Sequence, residues 1–351
     1  MSLRGSPDDY IIKSLIGTGT TSKVYLVKHK INGNHYAMKV INKHKAKENN
    51  ESKHIKAERL ALERLSHPFL VKLWQAFQTK SKLHLILEFA NGGDLFTQLQ
   101  NRSKLREKDA KFYAAEIICV LEYLHESGIV FRGLKPEDIL LDIHGHIKLT
   151  DFGLAKSTRS LTSTFWGSPL YLAPETIKGD RQTKAVDWWG LGVLLYEMIS
   201  GEPPFYDTDN KELLKSILNT ELNFGKDFTS NSQDLISKLL KINPDERLGS
   251  GEKGIEEIKS HPFFSDVNWE DIYNKNVRPP FVPMIRSESD TANVDYLFKS
   301  DKNIRESTYV GMHSFTTSGY DNYTYIGSET SAIKEESSSP EFDHRGSHKL
   351  N

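Results

Sequence analysis

A glycine-rich stretch and three charged residues that follow it have the types and spacing needed to hold phosphate groups. Gly17 and Gly19 lie in IGTGTTSKVYLV, where a backbone without side chains can approach phosphate oxygens closely. Lys39 follows in YAMKV, and Glu58 follows on the helical stretch KHIKAERLALERL. A lysine can hold phosphates when a carboxylate orients it. Asp151 in LTDFGLAK is a candidate Mg²⁺ ligand, because Mg²⁺ prefers oxygen donors.

The stretch FRGLKPEDILLD, residues 131–142, has the order of a phosphoryl-transfer loop, H-R-D-L-x-x-x-N, but lacks its central acid. In that loop the Asp accepts the proton of the substrate hydroxyl. Here Gly133 takes the Asp position and Asp138 takes the Asn position, while Lys135 is present. Losing a general base typically costs about 10²–10⁴-fold in rate, roughly 3–5 kcal/mol of barrier. The sequence therefore predicts transfer that is weak or absent.

Composition excludes several other classes of function. The 351 residues carry 46 Lys and Arg against 47 Asp and Glu, so no global field favours nucleic acid or a membrane surface. The single cysteine, Cys119, excludes a disulfide framework. The N-terminal residues lack the apolar core of a signal peptide, and the longest apolar stretches are too short to span a bilayer. We expect a cytoplasmic monomer with no nucleic-acid partner and no transmembrane segment.

Hydrophobic periodicity predicts a strand-rich first unit and a helix-rich second unit. Residues 10–87 alternate in short runs such as KVYLVKH, interrupted by one helical stretch, whereas helical periods dominate from Leu95 onward. This pattern indicates an α+β protein of two packed lobes with a cleft between them. The expected boundaries are a short N-terminal extension at 1–9, a small lobe at about 10–89 and a large lobe at about 90–264. A tail at 265–327 and a disordered end at 328–351 complete the expected organisation.

From Tyr10 to Gly327 the chain resembles an AGC-group serine/threonine protein kinase. The shared motifs, in order, are the glycine loop, YAMKV, the loop around Gly133, TDFG, LAPE, VDWWGLG and PDERLG. RPPFVP, SESDTANVDYLF and YDNYTYIG resemble the tails of fungal Ypk kinases and of serum- and glucocorticoid-regulated kinases. The resemblance implies a two-lobed eukaryotic protein kinase fold with an AGC C-terminal tail. It also implies transfer of the ATP γ-phosphate to Ser or Thr, with Mg²⁺.

The resemblance assigns roles to individual residues of the cleft. Catalytic positions would be Gly133, as a vacant base position, with Lys135, Asp138 and Asp151, and the last two would hold the metal. The backbone of Glu88 to Ala90 could pair with an adenine edge. The expected ATP-binding residues are Ile16, Gly17, Thr18, Gly19, Val24, Ala37, Lys39, Glu58, Glu88 and Ala90.

The resemblance also implies regulation by phosphorylation. Thr164 would be phosphorylated by a phosphoinositide-dependent kinase, and its phosphate would meet a basic pocket formed by His54, Arg132 and Lys156. A target-of-rapamycin complex would act on the tail at Thr324, and Ser314 is a weaker candidate. Tyr320, Tyr323 and Tyr325 would anchor this tail on the small lobe. The alternative for the same stretch is an aromatic-rich disordered tail.

Acidic residues of the large lobe predict the class of substrate. Asp94, Glu137 and Glu197 match positions that bind arginines upstream of the acceptor in AGC kinases. They imply a protein partner with a basic motif such as Arg-x-Arg-x-x-Ser/Thr. Glu197 has the alternative of merely ending a helix face.

Departures from the family pattern leave a second class of function open. Trp166, Ser168 and Leu170 accompany Gly133 in the region that would surround the phosphoacceptor. These changes favour a pseudokinase that acts as a nucleotide-binding or phosphorylation-switched scaffold or decoy. A dinucleotide-dependent enzyme is excluded, because its glycine loop should open a helix, whereas GTGTTSKVYLV leads into a strand.

Overall fold

The small lobe is built around an antiparallel sheet. A computed structural model describes residues 5–157, 169–219, 221–294, 320 and 323–327. Its first elements are β1 (Tyr10–Thr18), β2 (Ser22–His29), β3 (His35–Asn42), α1 (Lys43–Glu48), α2 (Ser52–Arg64), β4 (Leu73–Gln78) and β5 (Lys82–Leu87). The glycine loop joins β1 to β2, so it connects two strands and opens no helix, as the sequence predicted.

The large lobe is mainly helical. Its helices are α3 (Leu95–Arg102), α4 (Glu107–Glu126), α5 (Pro174–Lys178), α6 (Ala185–Ser200), α7 (Asn210–Asn219), α8 (Ser230–Leu239), α9 (Ile255–Lys259) and α10 (Trp269–Tyr273). Short strands are β6 (Ile129–Val130), β7 (Ile139–Leu141), β8 (Ile147–Leu149) and β9 (Lys156–Ser157), and the tail adds β10 (Tyr325–Ile326). The α+β, two-lobed fold predicted from periodicity is confirmed.

Helix α6 is the centre of the large lobe. It is apolar on nearly all sides, and Trp188, Trp189 and Leu194 are among its fully buried side chains. A helix with apolar residues all around it must be enclosed by other elements. Accordingly, α4 and α8 pack on either side of it. Its first turn carries Asp187, so the same packing fixes one residue that supports the site described below.

The small-lobe sheet runs in the order β1-β2-β3-β5-β4-β10. The last strand comes from the tail, because Tyr325 pairs with Ala76 and Ile326 pairs with Gln75 of β4. Both faces of β3 and β5 are covered: Leu85 is buried on one face, and Met38 and Ile86 are buried on the other. The sheet therefore has a stable core beneath the strands that carry the cleft residues.

The tail segment before β10 packs on α2 through two tyrosine rings. Tyr320 and Tyr323 are 6% and 3% exposed, and their rings contact each other edge to face. The Tyr320 hydroxyl donates to Ser52 Oγ at 3.0 Å, and Gln78 Nε2 donates to the Tyr320 carbonyl at 2.8 Å. Thr324 is exposed beside them. This contact favours the anchored tail over the disordered alternative.

Some predicted positions cannot be placed. Thr164, Trp166, Ser168 and Ser314 lie outside the described residues, as do residues 1–4 and 328–351. Among the helices that are described, none is long and apolar enough to cross a membrane.

Candidate active site

A cleft of about 340 Å³ lies between the lobes. It is bounded by the glycine loop above, by residues 87–94 behind, and by residues of the large lobe below. Most of the residues predicted from the sequence line it, while Glu58 borders an adjoining cavity. The predicted residues in the cleft wall are Ile16, Gly17, Thr18, Gly19, Val24, Ala37, Lys39, Glu88, Ala90, Asp94, Glu137, Asp138 and Asp151.

The glycine loop is a tight turn whose backbone forms the roof of the cleft. The Gly19 N–H donates to the Ser22 carbonyl at 2.8 Å, which closes the turn. A side chain at Gly19 would start 3.0 Å from Ser22 Oγ, so glycine permits this close approach. Apolar Ile16, Val24 and Ala37 lie beside the turn in the cleft wall. This combination suits a planar apolar group with phosphates at one end.

A lysine and two carboxylates meet at the inner end of the cleft. Lys39 on β3 donates to Glu58 Oε1 on α2 at 2.6 Å, and its Nζ lies 3.7 Å from Asp151 Oδ1. Burial alone would lower the pKa of Lys39, but the charges of Glu58 and Asp151 raise it above its ordinary value. Lys39 is therefore a fixed cation, held where it can contact a bound anion.

The loop that contains Gly133 is held by a buried aspartate. Asp187 accepts hydrogen bonds from the backbone N–H groups of Phe131 at 2.9 Å and Arg132 at 2.7 Å, and from His125 Nε2 at 2.7 Å. Arg132 has a positive φ of 66°, which is unfavourable for a residue with a side chain. The bonds to Asp187 offset that strain and set the course of the loop. Asp187 therefore braces the backbone of this loop.

Lys135 and Asp138 form a second pair on the floor of the cleft. Lys135 Nζ lies 3.3 Å from Asp138 Oδ1. Burial and the nearby charge of Asp151 raise the pKa of Asp138 well above its usual range, whereas the charge of Lys39 lowers the pKa of Asp151. Two carboxylates sharing a site repel each other. A divalent cation fits such a donor set, since Mg²⁺ is commonly bound by one or two carboxylates plus substrate phosphates.

Asp151 adopts a left-handed backbone conformation. Its φ and ψ are 61° and 71°, and its Oδ1 accepts a hydrogen bond from the Gly153 N–H at 3.3 Å. Phe152, the next residue, is fully buried and contacts Phe131 edge to face, with ring centroids 5.4 Å apart. The buried ring and the strained turn together aim the Asp151 carboxylate into the cleft.

Two of the predicted phosphate-pocket residues converge on adjacent backbone carbonyls. His54 Nδ1 donates to the Gly153 carbonyl at 2.9 Å, and Arg132 Nε donates to the Leu154 carbonyl at 2.8 Å. Arg132 Nη1 also donates to Gln182 Oε1 at 2.8 Å. The backbone of Lys156 lies in β9, and Thr164 lies outside the described residues. The structure therefore brings His54 and Arg132 together and leaves their predicted phosphate partner as an expectation.

The three predicted peptide-binding acids have different surroundings. Asp94 caps α3, accepting from Thr97 N at 2.7 Å and Thr97 Oγ1 at 3.0 Å. Glu137 is exposed at the mouth of the cleft. Glu197 is 9% exposed and accepts from the Tyr171 hydroxyl at 2.5 Å, and burial raises its pKa. Burial shows that Glu197 does more than end an exposed helix face, and it lies beside a surface cavity of about 410 Å³.

Sequence reasoning missed several residues that line the cleft, namely Val71, Leu87, Leu140 and Thr150 and two residues of the tail. Asn293 and Val294 of the tail line it, and Asn293 Nδ2 donates to the Asn91 carbonyl at 3.2 Å. Gly93 has a φ of 84°, and a Cβ there would lie 2.8 Å from the Asn293 carbonyl oxygen. The stretch SESDTANVDYLF, which contains both tail residues, was interpreted only as a sign of the family and not as part of the cleft. The glycines of NGG were the available signal that another backbone approaches the hinge.

This fold and this cleft define a family of phosphoryl-transfer proteins. The chain belongs to the protein kinase domain family, which matches residues 10–264. It is 42% identical over 297 residues to the RAC family serine/threonine-protein kinase homolog of Dictyostelium discoideum, covering 84% of this chain and 66% of that protein. This similarity places the chain with the AGC-group kinases.

Two fungal kinases are similar to the same extent. The serine/threonine-protein kinase gad8 of Schizosaccharomyces pombe is 45% identical over 297 residues, covering 84% of this chain and 52% of that protein. The serine/threonine-protein kinase YPK2/YKR2 of Saccharomyces cerevisiae is 42% identical over 327 residues, covering 92% and 48%. The chain thus spans about half to two thirds of the length of these relatives.

Proposed function

We propose that the chain binds Mg-ATP in the cleft between its lobes and transfers the γ-phosphoryl group to Ser or Thr in basic protein segments, at a strongly reduced rate. The observation that supports nucleotide binding best is the contact of Lys39 with Glu58 and its proximity to Asp151. The observation that supports the reduced rate is Gly133, which supplies no side chain to accept a proton.

In this proposal each cleft residue has one task. The backbone of Glu88 to Ala90 pairs with the adenine edge, and the glycine loop covers the phosphates. Lys39, oriented by Glu58, holds the α- and β-phosphates. Asp138 and Asp151 hold Mg²⁺, which neutralises charge on the phosphate oxygens when it is bound. Lys135 stabilises the charge of the transferring phosphoryl group.

The cleft lacks a side chain at position 133 that could accept the proton of the attacking hydroxyl. Positioning and charge neutralisation provide much of phosphoryl-transfer catalysis, and the residues for both are present. The base normally contributes about 10²–10⁴-fold. Because position 133 has no side chain, that contribution is lost while the others remain. The expected enzyme is slow, with its nucleotide site intact.

The proposal includes substrate class and regulation. Asp94, Glu137 and Glu197 would recognise arginines of the substrate, and their carboxylates lie on the large-lobe side of the cleft or near it. A phosphate on Thr164 would engage His54, Arg132 and Lys156, and a phosphate on Thr324 would act where the tail meets the small lobe. Upstream kinases of the phosphoinositide-dependent and target-of-rapamycin types, a monomeric state and a cytoplasmic location belong to the same proposal.

A second candidate function is that of a pseudokinase. Gly133 favours it, together with Leu170 on the side where a peptide would bind. In this case nucleotide or tail phosphorylation would switch a scaffold or decoy, and no phosphate would be transferred. A scaffold switched by nucleotide would share the nucleotide site with the kinase and differ from it only in turnover, whereas a scaffold switched by tail phosphorylation would not need that site.

Thermal unfolding with and without Mg-ATP tests whether the cleft binds nucleotide. Binding to the folded state alone raises the melting temperature with ligand concentration. The expected result is a magnesium-dependent rise that Lys39→Met and Asp151→Asn abolish. Lys104→Met, a change at an exposed lysine paired with Asp227, is the matched control and should leave the rise intact. Absence of any rise at millimolar Mg-ATP would contradict the kinase and the nucleotide-binding scaffold, and would leave only a scaffold that phosphorylation switches.

A further inference from the structure

A hydrogen bond outside the cleft ties the glycine loop to helix α2. Thr21 follows the two loop glycines and is only 8% exposed. Its hydroxyl donates to Glu51 Oε2 at 2.6 Å, a short, charge-assisted contact. The second carboxylate oxygen of Glu51 accepts from Asn49 Nδ2 at 3.3 Å. Both oxygens of Glu51 are therefore engaged, and its carboxylate is held toward the loop.

Both ends of this contact are fixed by the backbone. The Thr21 carbonyl accepts from the Asn42 N–H at 2.9 Å, which anchors the loop to the end of β3. The Glu51 N–H donates to the Ala46 carbonyl at 2.8 Å, and the Glu51 carbonyl accepts from Ile55 N at 3.0 Å. Glu51 is thus joined to α1 and to the first turn of α2. Neither partner can move far without breaking a backbone bond.

The contact has a direct route to the nucleotide-holding lysine. Glu51 directly precedes α2, without a capping bond from its side chain, and Glu58 lies two turns further along, with Ile55 and Glu58 buried. Residues seven apart share one face of a helix. Thr21, Glu51, Lys39, Glu58 and Asp151 all border one cavity of about 420 Å³ next to the cleft. The position of Glu51 therefore restricts rotation of α2 about its axis and movement along that axis, and α2 is the helix that presents Glu58 to Lys39.

We propose that Thr21 and Glu51 are positioning residues for the triphosphate: their hydrogen bond holds the glycine loop in register with the Lys39–Glu58 pair. This inference rests on the proposed nucleotide binding. With the bond intact, the loop N–H groups and Lys39 are presented as one preorganised surface. Without it, the loop and α2 move independently, and bound phosphates must order them.

The substitution that isolates the bond is Thr21→Val, which removes the hydroxyl and keeps the branched shape. Thr21→Ser keeps the donor and is the conservative rescue. Because the bond acts on the nucleotide only through the position of the loop, its loss should weaken Mg-ATP affinity by about three- to tenfold, the range of an ordinary net hydrogen bond. Adenosine affinity should be unchanged, because adenosine has no phosphates for the loop to hold. A general defect in folding or stability would weaken both ligands.

The experiment has two parts on the full chain. Amide hydrogen exchange without nucleotide compares wild type, Thr21→Val, Thr21→Ser and Thr20→Val, whose hydroxyl is on an exposed residue of the same loop. Faster exchange in both the loop and the first turn of α2 is expected only for Thr21→Val. Equilibrium titration with Mg-ATP and with adenosine then measures affinity. Thr21→Val combined with Glu51→Ala should be no weaker than either single variant.

The outcomes distinguish the positioning role of Thr21 and Glu51 from the proposed binding of nucleotide. Unchanged exchange in α2, unchanged Mg-ATP affinity of Thr21→Val, equal loss for adenosine, or additive effects in the double variant would each overturn the positioning role. Failure of wild type to bind Mg-ATP would refute the proposed function, and the positioning role with it. The exchange data would then still report whether the loop and α2 are linked.

Discussion

Gly133 is the residue whose replacement tests most directly whether the chain is a slow enzyme or a scaffold. Its φ is not positive, so its backbone is open to residues with side chains. A Cβ placed there would lie 3.2 Å from Leu154 Cδ1, with no closer atom around it. Leu154 would need to yield by a few tenths of an ångström, which the end of a leucine side chain can do. A side chain can therefore begin at this position with little strain, so one substitution can introduce a carboxylate here.

Arg247 is a second residue with a large expected effect, on stability. Its guanidinium donates to both carboxylate oxygens of Glu175, at 2.7 and 2.9 Å, and the two side chains are 1% and 3% exposed. Arg247→Met would leave a buried carboxylate without its partner. We expect a loss of about 3–5 kcal/mol in the free energy of unfolding, measured by urea denaturation.

The double variant Arg247→Met/Glu175→Leu is the matched control for that prediction. It removes both charges, so it should be more stable than Arg247→Met alone. If the double variant were the less stable of the two, the penalty would not come from the unpaired carboxylate.

Among the elements, β10 and the residues before it allow a paired test of buried hydroxyls. The Tyr320 hydroxyl has a partner in Ser52. The Tyr323 hydroxyl is buried and has no hydrogen-bond partner among the residues that the structure describes, and burial raises its pKa. Tyr323→Phe should stabilise the docked tail, and Tyr320→Phe should destabilise it, each by about 1 kcal/mol. Melting temperatures of the two variants provide the measurement.

Because the expected changes in stability have opposite signs, each variant serves as the control for the other. Both substitutions remove one hydroxyl and keep the ring, so a shared loss of packing cannot explain a difference. Equal destabilisation by both would mean that the Tyr323 hydroxyl has a partner in solution.

The elements themselves were the most predictable part of the fold. Alternating runs predicted the strand that carries Lys39, and helical spacing predicted the helix that carries Glu58, whereas the inward position of Glu58 is seen only in the structure. The Thr21–Glu51 bond was not predictable in this way. A threonine in a polar turn and a glutamate at a helix start are ordinary surface residues, and only tertiary packing brings them together.

For the whole molecule, His84 makes stability depend on pH. Burial, with the charge of Lys82, lowers the pKa of His84 to about 4, and burial lowers that of His67 to about 4 as well. Between that value and the ordinary 6.5, the unfolded chain binds protons that the folded chain does not. Stability should therefore fall as pH decreases from about 6.5 toward 4, by on the order of 1 kcal/mol per pH unit for each histidine.

Urea denaturation of wild type and His84→Gln at pH 7.5 and 5.5 measures this contribution. The variant should lose less stability between the two pH values, because glutamine does not titrate. Equal losses for the two proteins would assign the acid sensitivity to other groups.

The path of the tail past the hinge between the lobes could not be predicted from the sequence. The cleft residues from the glycine loop to Asp151 could be placed because each belongs to a short motif with a physical role. Asn293 and Val294 could not, because their place in the cleft depends on where the tail crosses Asn91 and Gly93. The groups around the acceptor, including Thr164 and Trp166, stay predictions.

The most direct test of a slow kinase with an intact nucleotide site is a transfer assay on an Arg-x-Arg-x-x-Ser peptide with Mg-ATP. Wild type, Gly133→Asp and Gly133→Asn are compared, since asparagine has the shape of aspartate and cannot serve as the base. Gly133→Asp should raise the rate by about a hundredfold or more, and Gly133→Asn should not. Equal rates for all three, with Mg-ATP bound, would contradict the claim that Gly133 alone limits transfer, and would mean that Ser22, Trp166 or Leu170 has also closed the site.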